Sequence, residues 1–177
     1  MNSIEVEVRS FISEDQYHKF LDFFNKNAKF LKEDDQETHY FDGKEDLRIQ
    51  KNNYFSKIWL KSGKIHDEAR EEIELRFPKE DFEKLQRLFS RLGYNVKIKW
   101  FRKRHDFDWD GMTVSLDYTK GYGHIIELEK LCSEAEKEAT LKMIKGKLAE
   151  LNIKISSREE FDNKFKHYEQ NWQTLIK

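Results

Sequence analysis

The stretch IEVEVR, from Ile4 to Arg9, alternates apolar and charged side chains without a break. Successive side chains of a β-strand point to opposite faces, so this segment predicts a strand with one apolar face and one ionic face. The ionic face carries Glu5, Glu7 and Arg9 in a row. Whether that row faces water or an enclosed space decides which fold and which kind of site the chain builds.

The size and composition of the chain narrow the choice. Its 177 residues suit one domain, and although 38% of them are charged, the net charge is only −1. A near-zero net charge makes nucleic acid an unlikely partner, because nonspecific binding to phosphate backbones needs a basic protein. There is a single cysteine, Cys132, and no run of about 18 apolar residues. We therefore expect a cytoplasmic protein without a disulfide or a membrane segment.

Turn and cap signals divide the chain into about eight short strands and four helices. Ser13 with Gln16 matches a capping box, and Asp110-Gly111 is typical of a tight hairpin turn. Residues 28–39 resemble a loop and an edge. Consecutive hairpins favour an antiparallel sheet, which makes the fold class α+β. We expect one domain over residues 1–177, with a C-terminal helical segment at about 133–177.

Charged faces recur along the predicted strands. They carry Arg70, Glu72, Glu74 and Arg76 on one strand, Arg102 and Arg104 on another, Glu127 and Glu129 on a third, and Arg48 and Lys61 on two more. An open sheet with one face in water would explain them as ordinary cross-strand ion pairs. A closed barrel would enclose them instead. Enclosed carboxylates would then need a hard cation such as Mg²⁺ or Mn²⁺, and enclosed arginines an anion such as a phosphate chain.

The order of these motifs resembles that of the CYTH superfamily, the triphosphate tunnel metalloenzymes. EVEVR resembles the family's E-x-E-x-K signature, YFDGKEDLRIQ its L-R-x-R strand, IWLK its L-T-x-K strand and AREEIEL its R-x-E-x-E strand. RKRHDF resembles K-x-R-x-x-Y, and VSLDYTKGYGHIIELE resembles the aspartate, the glycine pair and the closing E-x-E. The resemblance runs from Ile4 to about Trp172, which is nearly the whole chain.

The resemblance implies an eight-stranded antiparallel β-barrel, the triphosphate tunnel, with helices packed outside it. The catalytic residues it implies are Glu5, Glu7 and Arg9. The implied ligands of Mg²⁺ or Mn²⁺ are Glu5, Glu7, Asp117, Glu127 and Glu129. The implied substrate-binding residues are Arg9, Arg48, Lys61, Arg70, Arg102 and Arg104, and the further tunnel residues are Glu72 and Glu74. The chain departs from the family pattern where Arg9 replaces a lysine, Gln50 an arginine and Phe107 a tyrosine.

The resemblance implies a metal-dependent triphosphatase that hydrolyses inorganic triphosphate or an organic triphosphate of thiamine or a nucleoside. One alternative is a class IV-type adenylyl cyclase that makes cyclic AMP from ATP. Another is a non-catalytic binder of a triphosphorylated ligand, which Gln50 and Phe107 would favour. The interleaved basic and aromatic residues of VKIKWFRKRHDF leave an RNA-binding module as a weaker alternative.

Aromatic residues outside these motifs are expected to serve packing. Trp59 and Trp100 lie on predicted strands, where a place in the core is the simplest explanation. The helical stripe near the C-terminus is expected to pack outside the barrel, with a homodimer contact as the alternative; it comprises Phe161, Phe165, Tyr168 and Trp172.

Overall fold

The computed structural model describes residues 4–61 and 72–177, and in them the chain forms eight strands and four helices. The strands are β1 (Ile4–Ile12), β2 (Lys29–Phe41), β3 (Asp46–Lys51), β4 (Phe55–Lys61), β5 (Glu72–Pro78), β6 (Val96–Trp109), β7 (Met112–Thr119) and β8 (Gly123–Cys132). The helices are α1 (Glu14–Asn27), α2 (Phe82–Arg91), α3 (Lys137–Glu150) and α4 (Arg158–Leu175). No helix in this part of the chain has the length and apolar character needed to cross a membrane.

The strands form one hydrogen-bonded sheet in the order β1-β8-β7-β6-β2-β3-β4-β5. The neighbours β1 and β8, β7 and β8, β2 and β3, β3 and β4, and β4 and β5 are antiparallel. The α+β class and the eight-stranded antiparallel sheet with helices against it are therefore confirmed.

Contacts between residues divide the chain into two compact units. The first unit comprises Met1–Glu33 and Lys103–Tyr168, and the second comprises Asp34–Arg102 and Glu169–Lys177. The boundary runs through β2, β6 and α4, so each unit takes part of these elements. The expectation of a single domain over residues 1–177 stays a prediction.

In the first unit, α1 and α3 cover the apolar side of β1, β7 and β8. Val6 and Val8 of β1 are buried there together with Leu128 of β8. Phe107 belongs to the same core and lies 5.7 Å from the ring of Phe24 on α1. Its missing hydroxyl therefore does not alter the charged side of the sheet. Because side chains alternate along a strand, burying Val6 and Val8 leaves the residues between them on the opposite face.

In the second unit, α2 covers the apolar side of β2, β3 and β4. The core there consists of Phe41, Ile49, Phe82, Leu85 and Phe89. The prediction of a loop and an edge at residues 28–39 is wrong, because β2 runs from Lys29 to Phe41 and lies between β6 and β3 in the sheet. Polar residues occupy both faces of its first part, so the alternation that identifies a strand is missing from the sequence.

Several local signals hold as predicted. The Ser13 side chain accepts the N–H of Gln16, and the Gln16 side chain accepts the N–H of Ser13, which closes the capping box of α1. The turn between β6 and β7 lies at Asp110 and Gly111, whose φ angles are 56° and 73°. This left-handed backbone is what a two-residue hairpin turn requires.

Candidate functional site

The charged side of the first unit is an acidic face. In the strand register Glu7 lies opposite Glu129, and Arg9 lies opposite Glu127. Residues directly opposite on neighbouring antiparallel strands share a face and lie close together. We call acidic face the set Glu5, Glu7, Arg9, Lys32, Arg104, Asp106, Asp117, Glu127 and Glu129. It therefore unites the predicted metal ligands with two of the predicted phosphate-binding arginines.

Arg104 is the centre of this face. Its Nε and one Nη each donate to an Asp117 carboxylate oxygen at 2.7 Å, and the same Nη lies 3.4 Å from Glu127 Oε1. Burial alone would lower the pKa of this guanidinium, but the neighbouring charges of Asp117 and Glu127 raise it well above its usual value. Arg104 is thus a permanent buried cation held in a fixed orientation by two carboxylates.

The carboxylates of the acidic face outnumber its cations. The face holds six of them against Arg9, Lys32 and Arg104. Burial raises the pKa of Glu129, and the negative charges of Glu5 and Glu127 raise it further. Closely spaced carboxylates, of which Glu129 is destabilised in its charged form by its neighbours, fit a hard divalent cation in chemical terms.

The side chains of this face do not form a preassembled metal cage. Within residues 4–61 and 72–177, no three carboxylate, imidazole or thiol groups are grouped closely enough to hold a metal ion as they stand. Asp117, predicted as a ligand, is engaged with Arg104 instead. The chemistry of the donors therefore fits a cation, and binding it would require the glutamate side chains to converge.

Asp106 is a member of the acidic face that the sequence motifs did not identify. Its carboxylate is buried, accepts the Ser115 hydroxyl at 2.7 Å, and lies 3.3 Å from Lys32 Nζ. Asp106 follows Arg104 by two residues, so strand alternation alone would have placed it on the same side. It adds a fixed negative charge next to the Arg104 guanidinium, whose pKa it helps to raise.

One end of the acidic face is apolar. Phe11 follows Arg9 by two residues on β1, and its ring stacks on Phe161 of α4 with centroids 4.3 Å apart. The Arg9 guanidinium lies over the same Phe161 ring at 4.7 Å. The prediction that this helical stripe packs only outside the sheet is wrong for Phe161, which contacts the charged side of β1. The contact holds Arg9 against α4.

The polar side of the second unit differs in composition, and we call it the basic-aromatic face. Its residues are Asp34, Gln36, Thr38, Tyr40, Asp46, Arg48, Gln50, Lys57, Trp59, Glu74, Arg76 and Arg102. The register places Tyr40 opposite Arg48, and Arg48 opposite Trp59. These three side chains therefore form a row across β2, β3 and β4.

Arg48 is buried within that row. Its guanidinium carbon lies 4.3 Å from the centroid of the Tyr40 ring and 5.2 Å from that of Trp59. Asp46 accepts from Arg48 Nε at 2.6 Å and also from Nη2. Trp59 was expected in the core, and this expectation is wrong, because the ring lies beside two cations, with Lys57 Nζ 3.9 Å from its centroid.

The other predicted cations of this face have partners of different kinds. Arg102 donates through Nε and Nη2 to the neutral amide oxygen of Gln36, and these two bonds orient the guanidinium. Glu74 accepts from Lys57 and Arg76. Burial tends to raise the pKa of Glu74, but these two hydrogen bonds outweigh it and lower the pKa. Glu74 therefore serves as a counter-ion for basic neighbours.

Gln50 stands where the family pattern has an arginine. It is buried and donates its amide N–H to the Thr38 hydroxyl at 2.8 Å. Lys51 does not replace the missing charge, because its side chain lies on the α2 side of the sheet. There it pairs with Glu37 of β2 at 2.8 Å and lies over the Phe82 ring of α2. The basic-aromatic face thus has one cation fewer than the family pattern.

Three predicted residues have a limited description. Arg70 lies outside the described residues. For Lys61 and Glu72 only the backbone is described, and the two are opposite each other in the pairing of β4 with β5. Their assignment to substrate binding and to the tunnel stays a prediction.

Comparison with known proteins connects these faces to a family. A family model described as the CYTH domain matches residues 3–166. A protein of Methanocaldococcus jannaschii that bears the name "Putative adenylate cyclase" is 33% identical over 169 residues, which cover 85% of this chain and 90% of the relative.

Solved structures share the fold. The PH1819 protein of Pyrococcus horikoshii is similar with a TM-score of 0.68 at 25% identity, over 89% of this chain and 97% of that one. A structure from Vibrio parahaemolyticus described as a "putative adenylate cyclase" has a TM-score of 0.64 at 16% identity, over 90% of this chain and 98% of that one. The second likeness concerns the fold alone.

Proposed function

This chain belongs to the CYTH domain family, and on that basis we propose that it is a metal-dependent enzyme that hydrolyses a triphosphate-bearing small molecule. The observation that carries the proposal is the excess of carboxylates on the acidic face, with the raised pKa of Glu129 as its electrostatic sign. A divalent cation would relieve this repulsion. The family resemblance found in the sequence gives the same residues a metal-binding role.

Within this proposal, Mg²⁺ or Mn²⁺ would be held by Glu5, Glu7, Glu127 and Glu129. When bound, the cation supplies positive charge to the phosphoryl oxygens. Arg104 stays paired with Asp117 and Glu127, so its contribution is to fix those carboxylates and to add positive potential. Asp117 therefore acts mainly as the partner of Arg104.

Arg9 and Arg102 are the arginines that we propose for binding the phosphate chain. Arg9 is more than one-third exposed and its Nε lies 3.9 Å from Glu7, which is a loose ion pair. Arg102 is oriented by a neutral amide. Guanidinium groups of this kind bind phosphate oxygens with two parallel hydrogen bonds. Lys61 and Arg70 complete the proposed set.

The proposed reaction is phosphoryl transfer to water. A bond forms between the water oxygen and the terminal phosphorus, and the bond from that phosphorus to the bridging oxygen breaks. The water proton passes to a carboxylate of the acidic face, and the diphosphate part leaves. Most of the rate enhancement then comes from positioning and from charge neutralisation by fixed cations.

The direct test is a substrate panel of inorganic triphosphate, thiamine triphosphate and ATP, each with Mg²⁺ and with Mn²⁺. We expect release of free phosphate, and Glu7→Gln should reduce it by about 100-fold or more, as loss of a group that stabilises the transition state does. Glu138→Gln, an exposed carboxylate on α3, is the matched control and should behave like the parent. If Glu7→Gln matched the parent on every substrate, the proposed metal site would be wrong.

A second candidate function is adenylyl cyclase activity. It is favoured by the name of the Methanocaldococcus relative. The same assay with ATP separates the two, because a cyclase yields cyclic AMP and pyrophosphate where a triphosphatase yields free phosphate. Tight binding of a triphosphate without any product, with either cation, would instead show a non-catalytic binder.

A further inference from the structure

Lys32 is a cation of the acidic face that belongs to none of the family motifs in the sequence. It lies on β2, and its Nζ is 3.3 Å from Oδ2 of Asp106 on β6. The Asp106 side chain is 8% exposed, whereas the Lys32 side chain is 48% exposed. The lysine side chain is therefore open to a solute, and a buried carboxylate pairs with it.

The carboxylate that pairs with Lys32 is held by a second strand. The Ser115 hydroxyl of β7 donates to Oδ1 of Asp106 at 2.7 Å, while Oδ2 is the atom paired with Lys32. Ser115 is itself buried. A chain of polar contacts therefore runs from β7 through β6 to β2 and ends at the ammonium group of Lys32.

This chain of contacts brings Lys32 close to the centre of the acidic face. Asp106 follows Arg104 by two residues on β6, which corresponds to about 7 Å along a strand. The negative charge of Asp106 helps to raise the pKa of Arg104. Lys32 is thus a cation on β2 that shares one side of the sheet with Arg104 and the carboxylates around it.

The acidic face offers a phosphate chain little positive charge without Lys32. Its six carboxylates exceed its three cations, Arg9, Lys32 and Arg104, by three charges when all are ionised. One divalent cation offsets two of these charges. Arg104 is already bonded to Asp117 through two N–H groups, whereas an ammonium group has three N–H donors on a flexible stem. Lys32 can therefore donate one N–H to Asp106 and another to a phosphate oxygen.

Lys103 is the counterpart of Lys32 on the opposite side of the same two strands. It lies on β6, and its Nζ is 2.6 Å from Glu33 on β2, with both side chains 44% exposed. Glu33 also lies 3.3 Å from His105, whose other ring nitrogen contacts the Tyr17 hydroxyl of α1. The Lys103 pair therefore lies on the α1 side of the sheet. Lys103 resembles Lys32 in charge and exposure but not in position.

We propose, on the basis of the triphosphate hydrolysis proposed above, that Lys32 is a further phosphate-binding residue of the acidic face. Its ammonium group donates to a non-bridging oxygen of the phosphate chain, and Asp106 and Ser115 act as positioning residues that do not contact the substrate. Because the contact is made to the phosphate chain, it serves inorganic and organic triphosphates alike. Lys32 takes no part in the making or breaking of bonds.

Calorimetric affinities for two probes that resist hydrolysis, imidotriphosphate and the β,γ-imido analogue of ATP, test this role in the presence of Mg²⁺. Loss of a hydrogen bond between charged groups corresponds to a factor of about 10 or more. We expect Lys32→Gln to weaken the binding of each probe that the parent binds by about that factor. Lys32→Arg, which keeps the charge and the donors, should retain most of the affinity. Lys103→Gln is the matched control and should bind like the parent, whereas equal affinities in the parent and in Lys32→Gln would overturn the assignment.

A purely structural role of Lys32 would be to neutralise the buried carboxylate of Asp106. That role ends when the carboxylate is removed, so Lys32→Gln is also measured in the Asp106→Asn background. We expect Lys32→Gln to weaken probe binding in this background too, because a phosphate contact needs the ammonium group itself. Thermal unfolding of each variant shows that it is folded. A loss of affinity that disappears in the Asp106→Asn background would assign Lys32 to structure alone.

Failure of this assignment is distinguishable from failure of the proposed function. If the parent hydrolyses a triphosphate while Lys32→Gln matches it in probe affinity and in kcat/KM, the proposed function stands and the role of Lys32 is wrong. If the parent binds a probe but hydrolyses no triphosphate, the proposed hydrolysis fails and the affinities still decide the role of Lys32. A parent that binds neither probe and hydrolyses no triphosphate would overturn both.

Discussion

The acidic face and the basic-aromatic face are built by the same alternation of strand residues, yet their electrostatics are opposite. On the acidic face, six carboxylates surround three cations, and the pKa of Glu129 is raised by burial and by Glu5 and Glu127. On the basic-aromatic face, Glu74 has its pKa lowered by Lys57 and Arg76. On each face, neighbouring side chains of opposite charge form ion pairs. The net charge of the residues that define each face is negative for the acidic face and positive for the basic-aromatic face.

This difference indicates what each face requires from a ligand. Under the proposed function, a divalent cation would compensate the first face, and the phosphates of a substrate would compensate the second. Two arginines of β6 illustrate the contrast at the level of single residues. Arg104 is surrounded by carboxylates, whereas Arg102 is held by a neutral amide.

The contrast between these two arginines gives the largest expected effect. Arg104→Met would leave Asp117 and Glu127 buried without their counter-ion, which costs about 3–5 kcal/mol of the free energy of unfolding. Arg102→Met removes hydrogen bonds to Gln36 and should cost only about 1–2 kcal/mol. Urea unfolding at pH 7 in the presence of EDTA measures both.

Equal losses of stability in Arg104→Met and Arg102→Met would contradict the proposed difference between the two arginines. Asp117→Asn combined with Arg104→Met is the control for the mechanism. It removes one of the stranded charges and should recover part of the stability lost in the single variant. No recovery would show that packing of the Arg104 side chain, and not its charge, accounts for the loss.

The second expectation concerns the response of the acidic face to Mg²⁺. A ligand that binds only the folded chain stabilises it by about 2.7 kcal/mol at 100 times its dissociation constant. We therefore expect Mg²⁺ to raise the melting temperature of the parent. Glu127→Gln should abolish most of that rise, while Glu74→Gln on the basic-aromatic face should preserve it.

The control for ionic strength is a titration with KCl at matched ionic strength, which should not reproduce the rise. Calorimetric unfolding of the three proteins across a Mg²⁺ series is the measurement. Equal rises in Glu127→Gln and the parent would place the cation outside the acidic face.

Much of the architecture could be predicted from the sequence, because it rests on local rules. Alternation identified β1 and the charged strands, the capping box of Ser13 fixed the start of α1, and Asp110-Gly111 fixed a hairpin. In the described residues, the register of β1 with β8 also agrees with the predicted rows, since Glu7 lies opposite Glu129 and Arg9 opposite Glu127. These features depend on neighbours in sequence, which a single chain reveals.

The rest depended on which strands become neighbours. The start of β2 carries polar residues on both sides, so no alternation marks it. Arg48 pairs with Asp46 through the geometry of their side chains on the same strand. Arg104 pairs with Asp117 because of the register between their two strands. Trp59 follows Lys57 by two residues on β4, so strand alternation places both on the polar side. The large apolar ring of tryptophan nevertheless suggested a core residue.

The smallest expected effect compares the acid response of one carboxylate in each unit: Glu37 on the α2 side of the second unit, and Glu129 on the acidic face of the first. Hydrogen bonds from His39 and Lys51 lower the pKa of Glu37 in the second unit to about 2, although burial opposes them. A lowered pKa stabilises the folded chain above the unfolded value of 4.5, and this stabilisation is lost as the pH falls towards 2. Glu129 has a raised pKa, so its ionisation above that pKa destabilises the folded chain.

Replacing the two carboxylates should therefore have opposite signs at pH 7 without metal. Glu37→Gln should lose about 1–3 kcal/mol of stability, and the gap to the parent should narrow as the pH falls from about 5 towards 2. Glu129→Gln should gain a smaller amount, because the amide no longer repels Glu5 and Glu127, and this gain should vanish in acid. Urea unfolding in EDTA at each pH measures both differences. Changes of the same sign would show that repulsion on the acidic face is already relieved by its own cations, and the need for a bound metal would then lose its electrostatic basis.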